Sequence, residues 1–510
     1  MTIANETTEV LVVGGGLVGL ATAVFLGELG VRTVLVDRHA GASIQGRARG
    51  INQRTMELYR AVGLEAEIRA AGRPFADDWG VARCETLAGD WHWLFADDAP
   101  KAWPDLSPSE FCQADQSAIE PILIAAGRTR GTSYRFGTEL VSLTQDEDRA
   151  TAVLGDLATG ANSTVEARYV VAADGQRSPI REQLGIPRTG PGVVQHSASI
   201  VFRADLAPYV PRRALFWIIA NDAVGAGLVT TAEPGRWSLN VAYDPAAGQS
   251  LEDFTTERAI AAVRAAVGVP DLAVEIEDVA GWQQTIGLAD RYRAGRVFLA
   301  GDAAHTWPPA GAMGANTGVQ DGHNLAWKVA GVLRGWAGER LLDSYEAERR
   351  TVAAELSDLI VKRQLKRIGT TVEDDTTDDQ LWTLGQRYRS DAVAGADHTT
   401  VFGDTLDRTV RPGCRAPHVW IDNQISTHDL FGRGYVLFAP TDPQPWLDAI
   451  RQVQPTLPVE AYRIGTEPRW SSYGPSPLVS LIRPDGYVAW TGTDPEHLAG
   501  VMPSLLALDR

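Results

Sequence analysis

Val10-Leu-Val-Val-Gly-Gly-Gly-Leu-Val-Gly19, continued by Leu20-Ala-Thr-Ala-Val-Phe-Leu-Gly-Glu-Leu-Gly30 and Thr33-Val-Leu-Val-Asp37, decides how this chain begins to fold. A short apolar run stops at three consecutive glycines. Leu17, Leu20, Ala21, Val24, Phe25 and Leu29 then recur at helical spacing. Gly30 stops that helix, and Thr33–Val36 is a second apolar strand that closes on Asp37. Strand, turn, helix and strand within about 30 residues make a βαβ unit. Gly14-x-Gly16-x-x-Gly19 opens its helix, where glycine lets the backbone approach a pyrophosphate whose charge faces the helix N-terminus. Asp37 follows Gly19 by 18 residues and can accept hydrogen bonds from a ribose. Alone, the glycine pattern also suits a turn without ligand. With strand, helix and acid in register it points to a dinucleotide, and it does not separate FAD from NAD(P).

The chain of 510 residues is long enough for two to four domains at roughly 100–200 residues each. Hydrophobic residues at 44% and charged residues at 22% are ordinary for a globular protein. Lys+Arg 47 against Asp+Glu 64 leaves a net charge of −17, which argues against nucleic acid or an anionic membrane as partner. Cys84, Cys112 and Cys414 lie far apart without a CxxC, so neither a disulfide framework nor a zinc site is expected, and a cytoplasmic location fits. Val10–Gly27 is uncharged, yet five of its 18 residues are glycine and Glu6 and Glu9 precede it. It reads as the first strand and helix of a soluble protein rather than as a membrane span.

Farther on, helices are expected from about Asn52 to Leu64 and Gln116 to Ala126. A Trp- and Asp-rich stretch without helical period lies between them. Arg168–Ala173 and Arg296–Ala300 read as buried strands running into Asp174-Gly175 and Gly301-Asp302. Alternating segments between about 190 and 284, such as Ser238–Tyr243, predict an inserted antiparallel sheet. Helices follow at about Asn316–Arg334 and Leu341–Arg367, then a polar loop at Thr370–Gln380. From about Asp404 the composition changes, with strand-like Gly434–Phe438 and a Pro-Asp-Gly turn inside Leu481–Trp490.

Asp174-Gly-Gln-Arg-Ser178 and Gly301-Asp-Ala-Ala-His305, taken with the glycine motif in this order, resemble the three fingerprints of FAD-dependent aromatic hydroxylases of the p-hydroxybenzoate hydroxylase type. The resemblance extends through Trp307-Pro-Pro-Ala-Gly-Ala-Met-Gly-Ala-Asn-Thr317, Gln116-x-x-x-Glu120-x-x-Leu123 and Arg47-Ala48. Pro412-Gly-x-Arg-Ala-Pro-His418, Asp429-Leu-Phe-Gly432 and Arg483-Pro-Asp-Gly-x-Val-Ala-Trp490 resemble the thioredoxin-like tail of the aromatic polyketide branch, of the aklavinone and tetracenomycin hydroxylase kind. The fold so implied is α/β. A Rossmann-like FAD-binding domain takes residues 1–75, 109–189 and 285–367, and a mixed or antiparallel-sheet substrate domain takes 76–108 and 190–284. A connecting segment (368–403) leads to a thioredoxin-like domain (404–510). Without CxxC, that tail is expected to be structural or interface-forming.

The resemblance also implies residue roles. Asp302 faces the ribityl chain, Gln116 the flavin side of the cofactor, and Arg47, Asp174 and Arg177 the pyrophosphate. Leu17, Val18, Arg38, Leu140 and Gly314 complete the cofactor-contacting positions. A helix entered at Pro308–Asn316 points its amides at the flavin pyrimidine edge, where reduced flavin carries negative charge; Ala315 and Asn316 are expected to supply them. Pro308 and Pro309 lack N–H, so the Pro309 carbonyl is the polar group left to hold the proton of a flavin C4a-hydroperoxide. Tyr388-Arg389-Ser390 matches a segment of the polyketide branch: Arg389 beside a phenol favours the phenolate, and an interdomain salt bridge is its other reading. His305 reads as packing beneath the cofactor loop. Trp79, Trp91, Trp93, Trp103, Trp217 and Trp282 fall in segments expected to wall the substrate cavity.

The activity implied is hydroxylation of a polycyclic aromatic metabolite with FAD, NADPH or NADH, and dioxygen. Decarboxylative or dehydrogenating flavin chemistry and sequestration of an aromatic drug are the alternatives.

Overall fold

The computed structural model describes residues 5–42, 48–75, 80–95, 103–210, 214–221, 223–230, 233, 235–367, 379–465, 467–474 and 477–508. Arg47, Trp79 and most of the polar stretch 370–380 lie outside them. The opening unit is β1 (Asn5–Val13), α1 (Leu17–Glu28) and β2 (Thr33–Asp37). After it come α2 (Gln53–Ala61), α3 (Gln116–Thr129), β3 (Ser133–Phe136) and β4 (Asn162–Ala172). Two long strands, β5 (Arg188–Arg203) and β6 (Glu275–Ala289), bracket the inserted region. The first domain closes with β7 (Val297–Leu299), α4 (Met313–Leu333) and α5 (Asp343–Arg367).

β3, β2, β1, β4 and β7 lie side by side, all parallel, with Val10 opposite Thr33 on one side and Tyr169 on the other. Val10, Leu11, Val12, Val170 and Val171 are wholly buried, in a core shared with α1 and with the antiparallel strands 138–145 and 150–156. α1 and α4 cross at backbone contact. A Cβ on Gly318 would lie 2.5 Å from Val18 Cγ2, and one on Gly322 would lie 2.2 Å from Thr22 Oγ1. Only hydrogen fits at these two positions of α4.

The inserted region is an eight-stranded sheet in the order His305–Thr306, β6, β5, 236–243, 225–230, 216–220, 81–84, 91–95. It is antiparallel except where Phe216–Ile219 runs parallel to Val81–Cys84. One face packs Ala198, Ile200, Phe202, Trp217, Ile219 and Leu239 against Ala259, Val263 and Ala266 of the 256–267 helix. That helix interrupts the alternating pattern; Thr255 caps it and Gly268, at φ 82°, ends it. The Trp-rich stretch before residue 108 supplies the last two strands.

The tail follows β8 (Tyr435–Ala439), α6 (Gln444–Val453), β9 (Val459–Arg463), β10 (Val479–Ile482), β11 (Val488–Gly492) and α7 (Pro495–Leu505). Its sheet runs β9-β8-β10-β11, with β10 antiparallel to both its neighbours and β8 parallel to β9. That is the thioredoxin arrangement.

Buried charges join the tail to the first domain. Arg483 donates to Glu348 at 2.6 and 2.8 Å and to Asp485 at 3.0 and 2.5 Å. Lys328 reaches Glu348 at 2.8 Å, and Trp327 and Asn324 donate to Asp485. Nearby, Glu57 on α2 holds Arg415 of the tail, Arg54 at 2.9 Å and the Ser107 hydroxyl at 2.6 Å. Burial works against both carboxylates, yet the surrounding cations outweigh it and hold Glu57 and Glu348 well below the usual range. Burial pushes Lys328 down to about 8, against the pull of Glu348.

Arg483→Met should therefore cost about 3–5 kcal/mol by leaving buried carboxylates uncompensated, seen as an earlier calorimetric transition. Arg433→Met, at a pair whose arginine is 85% exposed, should leave the transition in place. Because the folded carboxylates titrate below 4.5, their stabilisation is complete above about pH 5 and is lost as the pH falls through the lowered values.

Candidate active site

The glycine turn between β1 and α1 divides its labour. A Cβ on Gly14 (φ 111°) would strike the Ala173 carbonyl at 2.1 Å, and one on Gly19 would strike the Gly14 carbonyl at 1.9 Å. These two let strand and helix touch. A Cβ on Gly16, the residue capping α1, would meet nothing within 4 Å, so the approach to the helix amides is open on that side. Leu17 is buried, and Val18 packs against Gly301 and Gly318. Asp37 accepts from the Gly15 amide at 2.5 Å and the His39 amide at 2.7 Å, which fixes its carboxylate beside the turn. Arg38 is exposed next to it, and Leu140 is half-buried against the parallel-sheet core.

Two loops flank the turn. Asp174 ends β4, with Oδ2 accepting from the Ile180 amide at 3.2 Å and Oδ1 buried without a donor; burial pushes its carboxyl up. Gly301 and Asp302 follow β7, with Asp302 exposed. Arg188 ties the loops together, donating to the Gln176 carbonyl at 2.8 Å and the Asp302 carbonyl at 2.9 Å. Arg177 is exposed. Gln116 begins α3, its amide bonded to the Ala48 carbonyl at 2.9 Å and its side chain to Glu120 at 2.6 Å.

α4 supplies a second amide terminus. Gly311 and Ala312 adopt positive φ (78° and 56°), which turns the chain so that the helix starts at Met313. The amides without an intrahelical acceptor are thus those of Met313, Gly314 and Ala315. Asn316, expected to offer its amide, falls in the next turn. Its side chain instead braces the terminus, donating to the Ala312 carbonyl at 2.7 Å and the Gly50 carbonyl at 2.9 Å and accepting from the Asn52 amide at 3.0 Å. A Cβ on Gly314 would meet nothing within 4 Å. Pro308 is buried and Pro309 exposed at the entrance to this turn.

In the 388–390 segment Tyr388 is buried and bonds Arg349 at 2.9 Å, Ser390 bonds Glu348 at 2.6 Å, and Arg389 between them is exposed. The tryptophans divide. Trp217 is wholly buried, edge-on to Trp91 at 5.5 Å, and Trp91 meets Trp93 at 5.1 Å, all in the core under the 256–267 helix. Trp103 is half-buried in the 103–107 turn. Trp282, opposite Ser197, is on the sheet's other face.

Asp321 and Arg349 escape a reading by motif. Both are fully buried: Asp321 takes His305 Nε2 at 2.8 Å, the Gly301 amide at 3.2 Å and Arg349 Nε at 2.8 Å. The available signal is that Asp321 is the one acidic residue of α4. No group of three or more His, Cys, Asp or Glu suited to a metal occurs among the described residues. Nor is any described helix long and apolar enough to cross a membrane.

The open Gly16 and Gly314 cradles at two helix N-termini, with the unmet Asp174 oxygen, fit a dinucleotide carrying a second, negatively charged ring system. Fold and site define an FAD-binding protein. The FAD binding domain family matches residues 7–359 and the C-terminal domain of aromatic-ring hydroxylases matches 409–507. A putative polyketide hydroxylase of Streptomyces halstedii is 42% identical over 97% of this chain and 95% of its own length. The tetracenomycin A2 monooxygenase-dioxygenase of Streptomyces glaucescens is 40% identical over 99% and 97%. The ternary complex of aklavinone-11 hydroxylase with FAD and aklavinone matches with a TM-score of 0.87 and 37% identity, over 98% of this chain and 99% of that one. The chain belongs to the FAD-dependent aromatic-ring hydroxylases, and is an aromatic monooxygenase.

The three glycines separate folding from cofactor binding. Gly16→Ala should melt within a few degrees of the parent yet bind FAD at least about tenfold more weakly, since its Cβ enters only the cofactor's space. Gly19→Ala should lower the melting temperature itself. Calorimetry and titration of the FAD-free proteins with FAD check both.

Proposed function

We propose that this enzyme hydroxylates an electron-rich carbon of a polycyclic, polyketide-like aromatic metabolite, using NADPH or NADH and dioxygen. The observation that carries the reading is the continuity of one surface. The sheet face away from the 256–267 helix presents Trp282 and Gln284 on β6, and β6 pairs through Gly287 and Leu288 with Thr306 and His305. The chain then runs directly into Trp307-Pro308-Pro309 and the amide end of α4. A flat aromatic ring system laid on that face has its edge at the flavin terminus. The named substrates of the relatives, aklavinone and tetracenomycin intermediates, are of that shape.

The chain's own groups have distinct tasks. The Met313, Gly314 and Ala315 amides stabilise negative charge on the reduced cofactor. The Gln284 side-chain oxygen is buried without a donor and can accept from a substrate hydroxyl, which orients the ring. The Pro309 carbonyl can hold a proton at the reacting edge. Asp302 takes the ribityl chain, and Asp174 with Arg177 lies toward the phosphates. The sheet and Trp282 exclude water. Bound FAD supplies hydride acceptance and the activation of dioxygen. One oxygen atom enters the ring; the other leaves as water with the reductant's two electrons.

Turnover of a polycyclic phenol under ¹⁸O-labelled dioxygen, followed by mass spectrometry, tests the reading. One labelled oxygen per product, with NADPH consumption that depends on the phenol, is expected. Dehydrogenated product without label would instead make the enzyme an oxidase or dehydrogenase.

A further inference from the structure

We propose that the C-terminal domain sets the position of the Gly301–Asp302 turn, and so the grip on FAD, through a buried relay of Tyr487, Tyr388, Arg349 and Asp321. The inference rests on the reading that FAD lies against this turn.

The turn's carbonyls are held by Arg188 and by the Ala289 amide, and its amide end depends on Asp321. Gly301-Asp-Ala-Ala304 carries no side chain that reaches the core beyond two methyl groups, and Gly301 adopts φ 61°. Its amide is held by Asp321, in the third turn of α4, at 3.2 Å. The same Asp321 oxygen takes His305 at 2.8 Å, so both ends of the loop hang on one carboxylate. Burial alone would protonate Asp321; His305 and Arg349 outweigh it and keep the carboxylate charged. Arg349 from α5 bonds the other oxygen at 2.8 Å and fixes its own plane by donating to Gln386 and Tyr388 at 2.9 Å each and to the Thr317 carbonyl at 3.3 Å. All of Arg349 is buried, so no water replaces a lost partner.

The outer end of the relay belongs to the tail. The Tyr388 ring stacks on Tyr487 with centroids 3.9 Å apart and planes at 21°. Tyr487 lies in the Arg483–Trp490 segment, whose Arg483 also sits over both rings at 5.4 and 6.0 Å. The tail thus presses on the hydroxyl-bearing ring that orients Arg349. Redox work is not open to this domain: it has no CxxC, and burial pushes the Cys414 thiol up to about 11. The stack gives it a mechanical task, with Tyr388, Arg349 and Asp321 as positioning residues.

Tyr388→Phe tests this with least damage, because it keeps the stack and removes only the hydroxyl that bonds Arg349. FAD binding should weaken about three- to tenfold, measured by fluorescence titration well below the melting transition, with a shifted absorption maximum of the bound flavin. Tyr487→Leu should weaken FAD similarly and Tyr487→Phe should restore parent affinity. If Tyr388→Phe and Tyr487→Leu bind FAD like the parent and change only the melting temperature, the contacts are packing and the relay is overturned. A parent protein that takes up no FAD overturns the functional reading, and the relay with it.

Discussion

Close contact between the backbones of α1 and α4 is the constraint on which the rest of the molecule depends. Val18 and Thr22 press against the Cα hydrogens of Gly318 and Gly322, positions four residues apart on one helix face. Helices at ordinary separation are 8–10 Å apart; these must come closer. Val18 also lies against Gly301, so the same side chain spaces the first glycine turn from the third fingerprint loop. The crossing therefore brings two amide termini and the Gly301–Asp302 turn to one locality. One terminus suits a pyrophosphate and the other a reduced ring. The contact of Val18 and Thr22 with Gly318 and Gly322 holds together the two helices that offer them.

Charge is distributed in two regimes. The sequence carries a net −17, yet the junction between tail and first domain is built of buried, mutually neutralising groups: Arg483 and Lys328 with Glu348 and Asp485, and Arg54 and Arg415 with Glu57. Such pairs add less net stability than apolar packing of equal volume, because desolvation opposes them. What they add here is directional: each carboxylate has its lone pairs assigned to donors from different elements. A tail docked one turn out of place would leave several charges unmatched.

The glycine turn, the parallel sheet and the tail were legible in the sequence because their constraints are local. Gly14 needs its φ, Gly19 needs its missing Cβ, and strands of Val and Leu need cover on both faces. The alternating stretch announced the second sheet but concealed the 256–267 helix, whose apolar positions are mostly alanine. The long-range partners were not legible, since Arg483 meets Glu348 across 135 residues and Arg415 meets Glu57 across 358. At 388–390 the segment was legible and its facing was not. Tyr388 is buried and Ser390 half-buried against Arg349 and Glu348 of α5, while Arg389 between them is exposed, a choice made by the surface that segment packs on. The start of α4 shifted as well: two left-handed residues, Gly311 and Ala312, start the helix at Met313 rather than at about Asn316.

β5 and β6 are continuous from the first domain into the second, paired from Arg188–Ala289 at one end to Arg203–Glu275 at the other. The two strands thus form a hydrogen-bonded ribbon between the two regions. A ribbon resists stretching and shear but bends where its ladder is interrupted. Two of its three register breaks lie between Thr189 and Gly192 and between Val193 and Gln195, close to the first domain, where Gly190 and Gly192 have positive φ; the third is between Val201 and Phe202. Flexing is easiest in the short stretch beside the first domain, where interrupted pairing and two left-handed glycines meet.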